Sequence, residues 1–328
     1  MNVHETEQPY KGRVGIFFGG SSGTGLVAAV EYQKKGGGVY LGASSESSYK
    51  RALASSRYLG GDRSAFLPII GDVTNSGLLR DNIMGVVNEQ KKDGNPVTDV
   101  FVFAAGGMPF AIELEERFLA PMRAVIVENP SNKDELLAVK KAELQRQYAL
   151  WLPASHKDAY AVNVQAKIDT VNFVLEATKG EQRPTFIDFN STFGKEGVGP
   201  GFYGNVSIKR MFSDLLKEYA KQLAEQGMDT AEFIAPVIED TGVGGILLNK
   251  VVPIIADSHP DVAALMFRTR IKRVDVPNAM SEFILMSRAE RAREERPYER
   301  YIVGDNEVIS VVRSIPEELR IDAGRFDI

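Results

Sequence analysis

A glycine-rich turn follows the first apolar segment of the chain, and its spacing indicates phosphate binding. Residues 14–25 read VGIFFGGSSGTG, and an apolar segment, residues 26–30, follows. Gly19, Gly23 and Gly25 stand at G-x-x-x-G-x-G spacing, in which absent side chains let the backbone turn sharply and approach a pyrophosphate. The sequence therefore predicts a strand, a nucleotide-binding turn and a helix. A glycine turn without a ligand is the alternative, because short glycine motifs also arise by chance.

The elements that must position this turn alternate between strand and helix along most of the chain. Apolar segments such as VFVFA are typical of strands buried on both faces, and the segments between them have helical patterns. This alternation predicts an α/β fold, a doubly wound parallel sheet of the Rossmann type. The expected strands are 14–18, 39–41, 65–70, 98–104, 185–189 and 231–235, and the expected helices are 24–35, 75–91, 157–178 and 205–226.

Two segments are longer than the connections of a simple alternation of strands and helices. Residues 108–159 are too many for an ordinary crossover loop and include a helix-like stretch, so we expect a helical insertion after the fourth strand. Residues 242–277 mix glycine, proline and apolar residues, and they form either a mobile substrate lid or ordinary packing. The charged residues 288–300 are expected to be a solvated helix face. We predict one domain, residues 1–328, with a core at about 11–305 and a tail at 306–328.

The composition limits the classes of partner and chemistry. The chain of 328 residues is 44% hydrophobic and 25% charged, with a net charge of -5, so neither nucleic acid nor an anionic membrane is an expected partner. Without cysteine, thiol catalysis and thiolate metal sites are excluded, and three widely spaced histidines predict no metal site. No stretch approaches the roughly 18 apolar residues of a membrane span, and the first residues lack the apolar core of a signal peptide. We therefore expect a cytoplasmic protein.

The order of the motifs resembles the short-chain dehydrogenase/reductase superfamily over roughly residues 11–304. The glycine turn is similar to that family's T-G-x-x-x-G-x-G, with Phe18 in the threonine place. GDV at 71–73 stands where the family's aspartate contacts the adenine ring, and FAAG at 103–106 is similar to its N-N-A-G motif. PVIEDT at 236–241 resembles the P-G-x-x-x-T segment that holds the nicotinamide carboxamide. The resemblance implies a dinucleotide site at Gly19, Ser21, Ser22, Gly23, Thr24, Gly25, Ser44, Ser45, Asp72, Val73, Ala104, Ala105, Gly106, Lys209, Pro236, Val237 and Thr241.

The resemblance also implies a catalytic serine, tyrosine and lysine, and here the chain departs from the family pattern. Ser191, in the segment NSTFG, stands in the serine place, and Asn163 in the place of an asparagine that organises a proton-relay water. In the family a lysine four residues after the tyrosine stabilises the phenolate, because a free phenol has a pKa near 10. Tyr203 follows Ser191 at a suitable distance, but Ser207 stands four residues later and Lys209 six. Six helical residues turn through about 240°, so Tyr203 and Lys209 share no face if the helix includes Tyr203.

Three explanations of this disrupted Tyr-x-x-x-Lys motif stay open. In the first, Tyr203 lies in the loop before the helix and forms a rearranged triad with Ser191 and Lys209, similar to enoyl reductases of the superfamily. In the second, Asn205 replaces the acid, and proton transfer is weak or made by water. In the third, a dinucleotide is bound without turnover, and the protein is a sensing or assembly module.

The end of the second expected strand bears on the choice of cofactor. NAD-dependent relatives place an aspartate there for the ribose hydroxyls, whereas this chain has LGASS at 41–45. Ser44, Ser45, Lys50 and Arg51 are near enough to contact a 2′-phosphate, which favours NADP(H), while Glu46 keeps NAD(H) as the alternative. We predict NADPH-dependent reduction of a small carbonyl or enoyl substrate, with a non-catalytic dinucleotide-binding protein as the alternative. The resemblance also implies a homo-oligomer, a dimer or tetramer.

Overall fold

The structure is a computed structural model that describes residues 8–103, 139, 157–179, 183–191, 203–241, 244–245, 248–249, 252–256, 260–285, 299–305 and 308–312. In chain order the elements are β1 (Val14–Phe18), α1 (Gly23–Lys34), β2 (Gly38–Ala43), α2 (Glu46–Tyr58), β3 (Phe66–Ile70), α3 (Ser76–Lys92), β4 (Asp99–Phe103), α4 (Ala166–Ala177), β5 (Thr185–Ser191), α5 (Tyr203–Gln226), β6 (Asp229–Ala235), α6 (Val252–Ile255), α7 (Pro260–Thr269), α8 (Asp275–Leu285), β7 (Glu299–Asp305) and β8 (Val308–Val312).

The strands form one eight-stranded sheet in the order β3-β2-β1-β4-β5-β6-β7-β8. The first seven strands run parallel, and β8 pairs antiparallel with β7. The α/β prediction of a doubly wound sheet is therefore confirmed, together with all six expected strands and the four expected helices. The antiparallel β8 was not expected, because residues 308–312 fall in the segment interpreted as a tail.

Alternate side chains of the strands bury two separate apolar layers, one on each face of the sheet. Phe17 and Phe101 stack at 4.3 Å between ring centroids on the face covered by α1 and α8. Ile16 and Val100 lie on the opposite face, which α3, α4 and α5 cover. Both faces of β1 and β4 are thus buried, which explains why β1 and residues 100–103 of β4 are continuously apolar.

The segments outside the minimal pattern are described in part. Of the insertion 108–159, only Val139 and 157–159 belong to the described residues. The described part of 242–277 contains α6, α7 and the start of α8. Arg300 is buried in β7, so the expectation of a solvated helix face across 288–300 is wrong at that end. Among the described helices, none has the length and hydropathy needed to cross a membrane.

Candidate functional site

The order in which successive strands are added to the sheet reverses between β1 and β4. From β1 the order runs outward to β2 and β3 on one side, and from β4 it runs through β5 and β6 on the other. In sheets of this kind ligands bind beyond the carboxyl ends of the strands at this reversal, because the diverging connections leave a crevice there. The carboxyl ends of β1 and β4 are in register, with Phe18 opposite Val102.

The glycine turn lies at that crevice, and the backbone leaves no room for a side chain at Gly19 or Gly25. Gly19 has φ +74°, and a Cβ there would stand 2.5 Å from the carbonyl oxygen of Phe103. A Cβ on Gly25 would stand 2.4 Å from the carbonyl oxygen of Gly19. Thus β1, β4 and α1 meet backbone to backbone, and the predicted strand, turn and helix are confirmed. The N-terminus of the 12-residue α1 begins at Gly23, directly after extended Ser22, where a helix favours a bound anion.

The N-terminus of α2 lies against the same turn. The Ser48 hydroxyl donates to the hydroxyl oxygen of Ser21 at 3.3 Å, and the Ser45 hydroxyl caps α2 by accepting from the Ser48 amide at 3.2 Å. Ser44 is exposed beside this cap, and Glu46, the first helical residue, is also exposed. The structure therefore brings the predicted ribose residues next to the predicted phosphate turn.

Asp72 forms a compact turn after β3. Its carboxylate accepts from the Thr74 amide at 2.9 Å and from the Thr74 hydroxyl at 2.8 Å, while Asn75 caps α3. Val73 packs against the apolar layer on the α3 side. Asp72 itself is exposed at the carboxyl edge of the sheet, on the side of β2 away from β1. The predicted adenine residues thus lie at the edge that carries the glycine turn.

The segment after β6 is anchored to the chain that precedes α8. The Ile271 amide donates to the Val237 carbonyl and the Glu239 amide donates to the Ile271 carbonyl, each at 2.9 Å. Arg270 forms an ion pair with Glu239 at 2.7 Å. The Thr241 hydroxyl donates to a backbone carbonyl at 2.8 Å, so it stabilises the local turn. These hydrogen bonds and the ion pair therefore anchor the predicted nicotinamide segment, from Pro236 to Thr241, at the carboxyl end of β6.

Asn163 lies in a π-helical turn, Ala161–Gln165, that precedes α4. Its side chain is 1% exposed, and its amide nitrogen donates to the Ala159 carbonyl at 2.9 Å. Its Oδ1 atom has no hydrogen-bond donor among the described residues. Because a buried carbonyl without a donor costs about 1–3 kcal/mol, this oxygen suits a bound water or a polar ligand. The predicted relay position is thus buried and oriented, and its role stays a prediction.

The helix that carries the predicted catalytic lysine begins at Tyr203. The first explanation placed Tyr203 in the loop before the helix, and that placement is wrong. The side chains of Tyr203, Asn205 and Lys209, and that of Ser191 at the end of β5, lie outside the described part of the chain, as do residues 104–106. The backbone of α5 still fixes the direction of each position around its axis.

The two candidate acid positions, 203 and 205, lie on different faces of α5. The inner face of α5 is defined by its buried residues Ile208, Phe212, Ser213 and Leu216. At about 100° per residue, position 205 lies within about 80° of all four and near their centre. Position 209 lies about 40° from position 205, whereas position 203 lies about 160° away from it. Positions 205 and 209 therefore share the inner face, and position 203 lies on the opposite side.

A group of buried polar side chains beneath these positions was not anticipated from the sequence. Lys167 and Asp188 form an ion pair at 2.5 Å with side chains 1% and 0% exposed. The buried Glu232 carboxylate accepts from Asn190 at 2.8 Å and from Ser213 at 2.7 Å. The available signal was a charge inside each apolar strand, in FIDFN and AEFIA, because such a charge must be compensated within the fold.

Comparison with known proteins identifies the architecture. No family model matches the chain, and no curated protein matches its sequence. A 7α-hydroxysteroid dehydrogenase complexed with NADH superposes with a TM-score of 0.62 at 14% identity, covering 94% of this chain and 98% of that chain. A short-chain type dehydrogenase/reductase from Mycobacterium ulcerans superposes with a TM-score of 0.59 at 15% identity, covering 89% and 88%. The chain has the short-chain dehydrogenase/reductase fold.

A third solved structure with this fold is a variant of actinorhodin polyketide ketoreductase with NADPH. It matches with a TM-score of 0.59 at 15% identity, over 89% of this chain and 96% of that chain. The shared short-chain dehydrogenase/reductase fold accounts for the sheet order and for the position of the glycine turn at the strand reversal. The fold expectation drawn from the motif order is therefore confirmed.

Proposed function

We propose that this chain is an NAD(P)-dependent oxidoreductase of the short-chain dehydrogenase/reductase family that reduces a carbonyl or an activated double bond of a small molecule. One observation carries the proposal. At the strand reversal, the carbonyl oxygen of Phe103 lies 2.5 Å from where a Gly19 Cβ would stand, and α1 begins directly beyond. A turn so bare of side chains fits a pyrophosphate, which needs close approach to backbone amides at a helix N-terminus.

The cofactor we propose is NADPH. No carboxylate stands at 41–45, where one would repel a 2′-phosphate, and the exposed Ser44 adjoins the N-terminus of α2. Lys50 and Arg51 lie in the first two turns of that helix and are also exposed. Hydroxyls, a helix N-terminus and cationic side chains together suit a phosphate monoester. NAD(H) is the alternative, through Glu46.

A bound NADPH would supply the hydride for the reduction, and the reduced substrate would take up a proton. We assign Ser191 to polarise the substrate oxygen, Lys209 to hold the nicotinamide ribose, and Asn163 to order a water for proton relay. The sequence assigned the proton donor to Tyr203, and that assignment stays a prediction. The order of positions around α5 favours the second explanation, in which Asn205 occupies the donor position and proton transfer is weak or made by water.

The same helix phase also supports a second candidate function. If an amide stands where the acid is needed, a dinucleotide can be bound without efficient turnover, because general acid catalysis contributes about 10²- to 10⁴-fold. A dinucleotide-binding protein without catalysis is therefore the second candidate. Binding is common to both candidates, and hydride transfer distinguishes them.

The test is a fluorescence titration with NADPH followed by reduction assays on cyclohexanone, acetoacetyl-CoA and crotonyl-CoA. We expect saturable binding and NADPH-dependent reduction of at least one of the three. Saturable binding without reduction of any probe supports the second candidate. A chain that binds neither NADPH nor NADH contradicts both candidates.

We also propose a homo-oligomer formed through α4, the turn before it, and α5. Tyr160, Met211 and Tyr219 are large apolar residues exposed on these helices. Apolar side chains that face solvent on neighbouring helices suit an interface between copies of the chain. Light scattering coupled to size exclusion tests this, and a mass of one chain at micromolar concentration would contradict it.

A further inference from the structure

A layer of five buried polar residues lies between the sheet and the helices α4 and α5. Lys167 pairs with Asp188, and Glu232 accepts from Asn190 and Ser213. Asp188 and Glu232 are direct register partners on the neighbouring strands β5 and β6, so the two pairs adjoin. The layer thus connects two strands and two helices through side chains that are each at most 3% exposed.

Stability alone does not account for such a layer. Removing a charge from water costs several kcal/mol, and well-packed apolar residues of similar volume are often as stable as a buried ion pair. The surroundings are apolar, since Phe186, Phe212 and Val164 are buried in the same layer of the core. Hydrogen-bonded buried polar groups such as Glu232 with Asn190 and Ser213 do fix one geometry, because each donor must meet its acceptor. Asp188 is held by its ion pair with Lys167, and neither of its oxygens accepts a hydrogen bond among the described residues.

The two hydrogen-bond partners of Glu232 show which elements of the fold it holds in place. Its first partner, Asn190, directly precedes Ser191 at the carboxyl end of β5. Its second partner, Ser213, follows Lys209 by one helical turn on the inner face of α5. One carboxylate therefore connects the strand that ends at the proposed substrate-polarising serine with the helix that carries the proposed ribose-binding lysine.

We infer that Glu232 is a positioning residue: its carboxylate fixes the end of β5 relative to the inner face of α5, and thereby sets the distance between Ser191 and Lys209. This inference rests on the proposed function. Because Glu232 is 1% exposed, we place it behind the substrate and the cofactor and assign its effect to Asn190 and Ser213. Displacements of about 1 Å at a reacting site can cost about 10²-fold in rate, so this restraint has catalytic consequences.

Two substitutions at Glu232 separate geometry from charge. Glu232→Gln keeps the shape, because its oxygen accepts from Asn190 and its amide donates to the Ser213 hydroxyl, which can also accept. Glu232→Met keeps the volume and removes the hydrogen bonds to Asn190 and Ser213. The matched control is Asp99→Asn. Asp99 is another buried carboxylate of the same sheet, bonded to Arg13 and Tyr32, but it lies at the opposite edge, at the start of β4.

Each variant is assayed, below its unfolding temperature, for its Kd for NADPH and for kcat on the probe that the wild-type chain reduces. We expect Glu232→Met to lower kcat about tenfold or more and to weaken NADPH binding about fivefold. Glu232→Gln is expected to retain kcat within about threefold, and Asp99→Asn to match the wild type in both quantities.

The inference would be overturned if Glu232→Met and Asp99→Asn lost kcat and NADPH affinity equally, in proportion to their thermal stabilities. It would also be overturned if Glu232→Met had the kcat and the Kd of the wild type. Failure of the proposed function has a different signature, since the wild-type chain itself then reduces no probe. If the wild type binds NADPH without turnover, the positioning role is tested by the Kd for NADPH alone. Weaker binding in Glu232→Met than in Asp99→Asn then supports that role, and equal Kd values contradict it.

Discussion

Asn205→Tyr is expected to raise the reductase activity, because position 205 lies at the centre of the inner face of α5. A tyrosine there stands four residues before Lys209, about 40° from it around the helix, so the two side chains share one face. Tyr203 lies about 160° from position 205, and the helix includes it from its first residue. The substitution thus places a tyrosine on the same helical face as the buried residues Ile208, Phe212 and Leu216.

The expected size follows from the chemistry of proton donation. A positioned general acid contributes about 10²- to 10⁴-fold, so we expect kcat of Asn205→Tyr to rise by about 10²-fold. Tyr203→Phe is expected to change kcat by less than about threefold, because in the second explanation its hydroxyl donates no proton to the substrate. Exposed Tyr58, the last residue of α2, has no role in the proposal and provides the control Tyr58→Phe.

The assay follows NADPH oxidation on the three probe substrates under saturating cofactor, with Kd for NADPH measured in parallel. An unchanged Kd with raised kcat assigns the effect to proton transfer and not to binding. The reasoning is refuted if Tyr203→Phe loses about 10²-fold in kcat while Asn205→Tyr gains nothing, because Tyr203 is then the acid despite its helical position.

Three further predictions concern the cofactor site and the core. Ser44→Asp is expected to shift the ratio of Kd values for NADPH and NADH about tenfold toward NADH, since a carboxylate repels the 2′-phosphate, and an unchanged NADPH Kd would contradict the assignment. Gly19→Ala is expected to weaken NADPH binding more than about tenfold, because its methyl group meets a carbonyl oxygen at 2.5 Å in a backbone with φ +74°. Gly85→Ala, in α3 with nothing within 4 Å of its Cβ, is the matched control and should bind NADPH normally while unfolding at slightly higher urea concentration. Lys167→Met is expected to lower the free energy of unfolding in urea by about 3–5 kcal/mol, because it leaves the Asp188 carboxylate buried without its cation, and adding Asp188→Asn should recover part of that loss.

Local sequence patterns were sufficient to predict most of the helices and strands. The apolar run of β1, the glycine turn and the start of α1 were predicted together, because strand, turn and helix chemistry agree over that stretch. Asn75 was also predictable as a helix start, and its side chain caps α3. The antiparallel β8, VISVV, is an ordinary strand sequence whose partner β7 lies directly before it, so only the tertiary pairing shows that it extends the sheet.

The candidate site was less predictable, for two physical reasons. Where α5 begins depends on interactions at its N-terminus, and residue spacing alone gave two phases, one for Tyr203 and one for Asn205. The second reason is burial of charge. Charges inside apolar strands indicate that Asp188 and Glu232 are buried. Their partners come from other elements, so the sequence alone does not show that Lys167 meets Asp188 or that Ser213 meets Glu232.

The central claim is that the glycine turn at the strand reversal binds a nicotinamide dinucleotide. The most direct measurement is an equilibrium titration of the wild-type chain and of Gly19→Ala with NADPH, followed by cofactor fluorescence, with NADP⁺ as competitor. We expect saturable binding to the wild type with a Kd on the order of micromolar, displacement by NADP⁺, and binding weakened by more than about tenfold in Gly19→Ala. Absence of saturable binding to the wild type, or equal binding by Gly19→Ala, would contradict the claim.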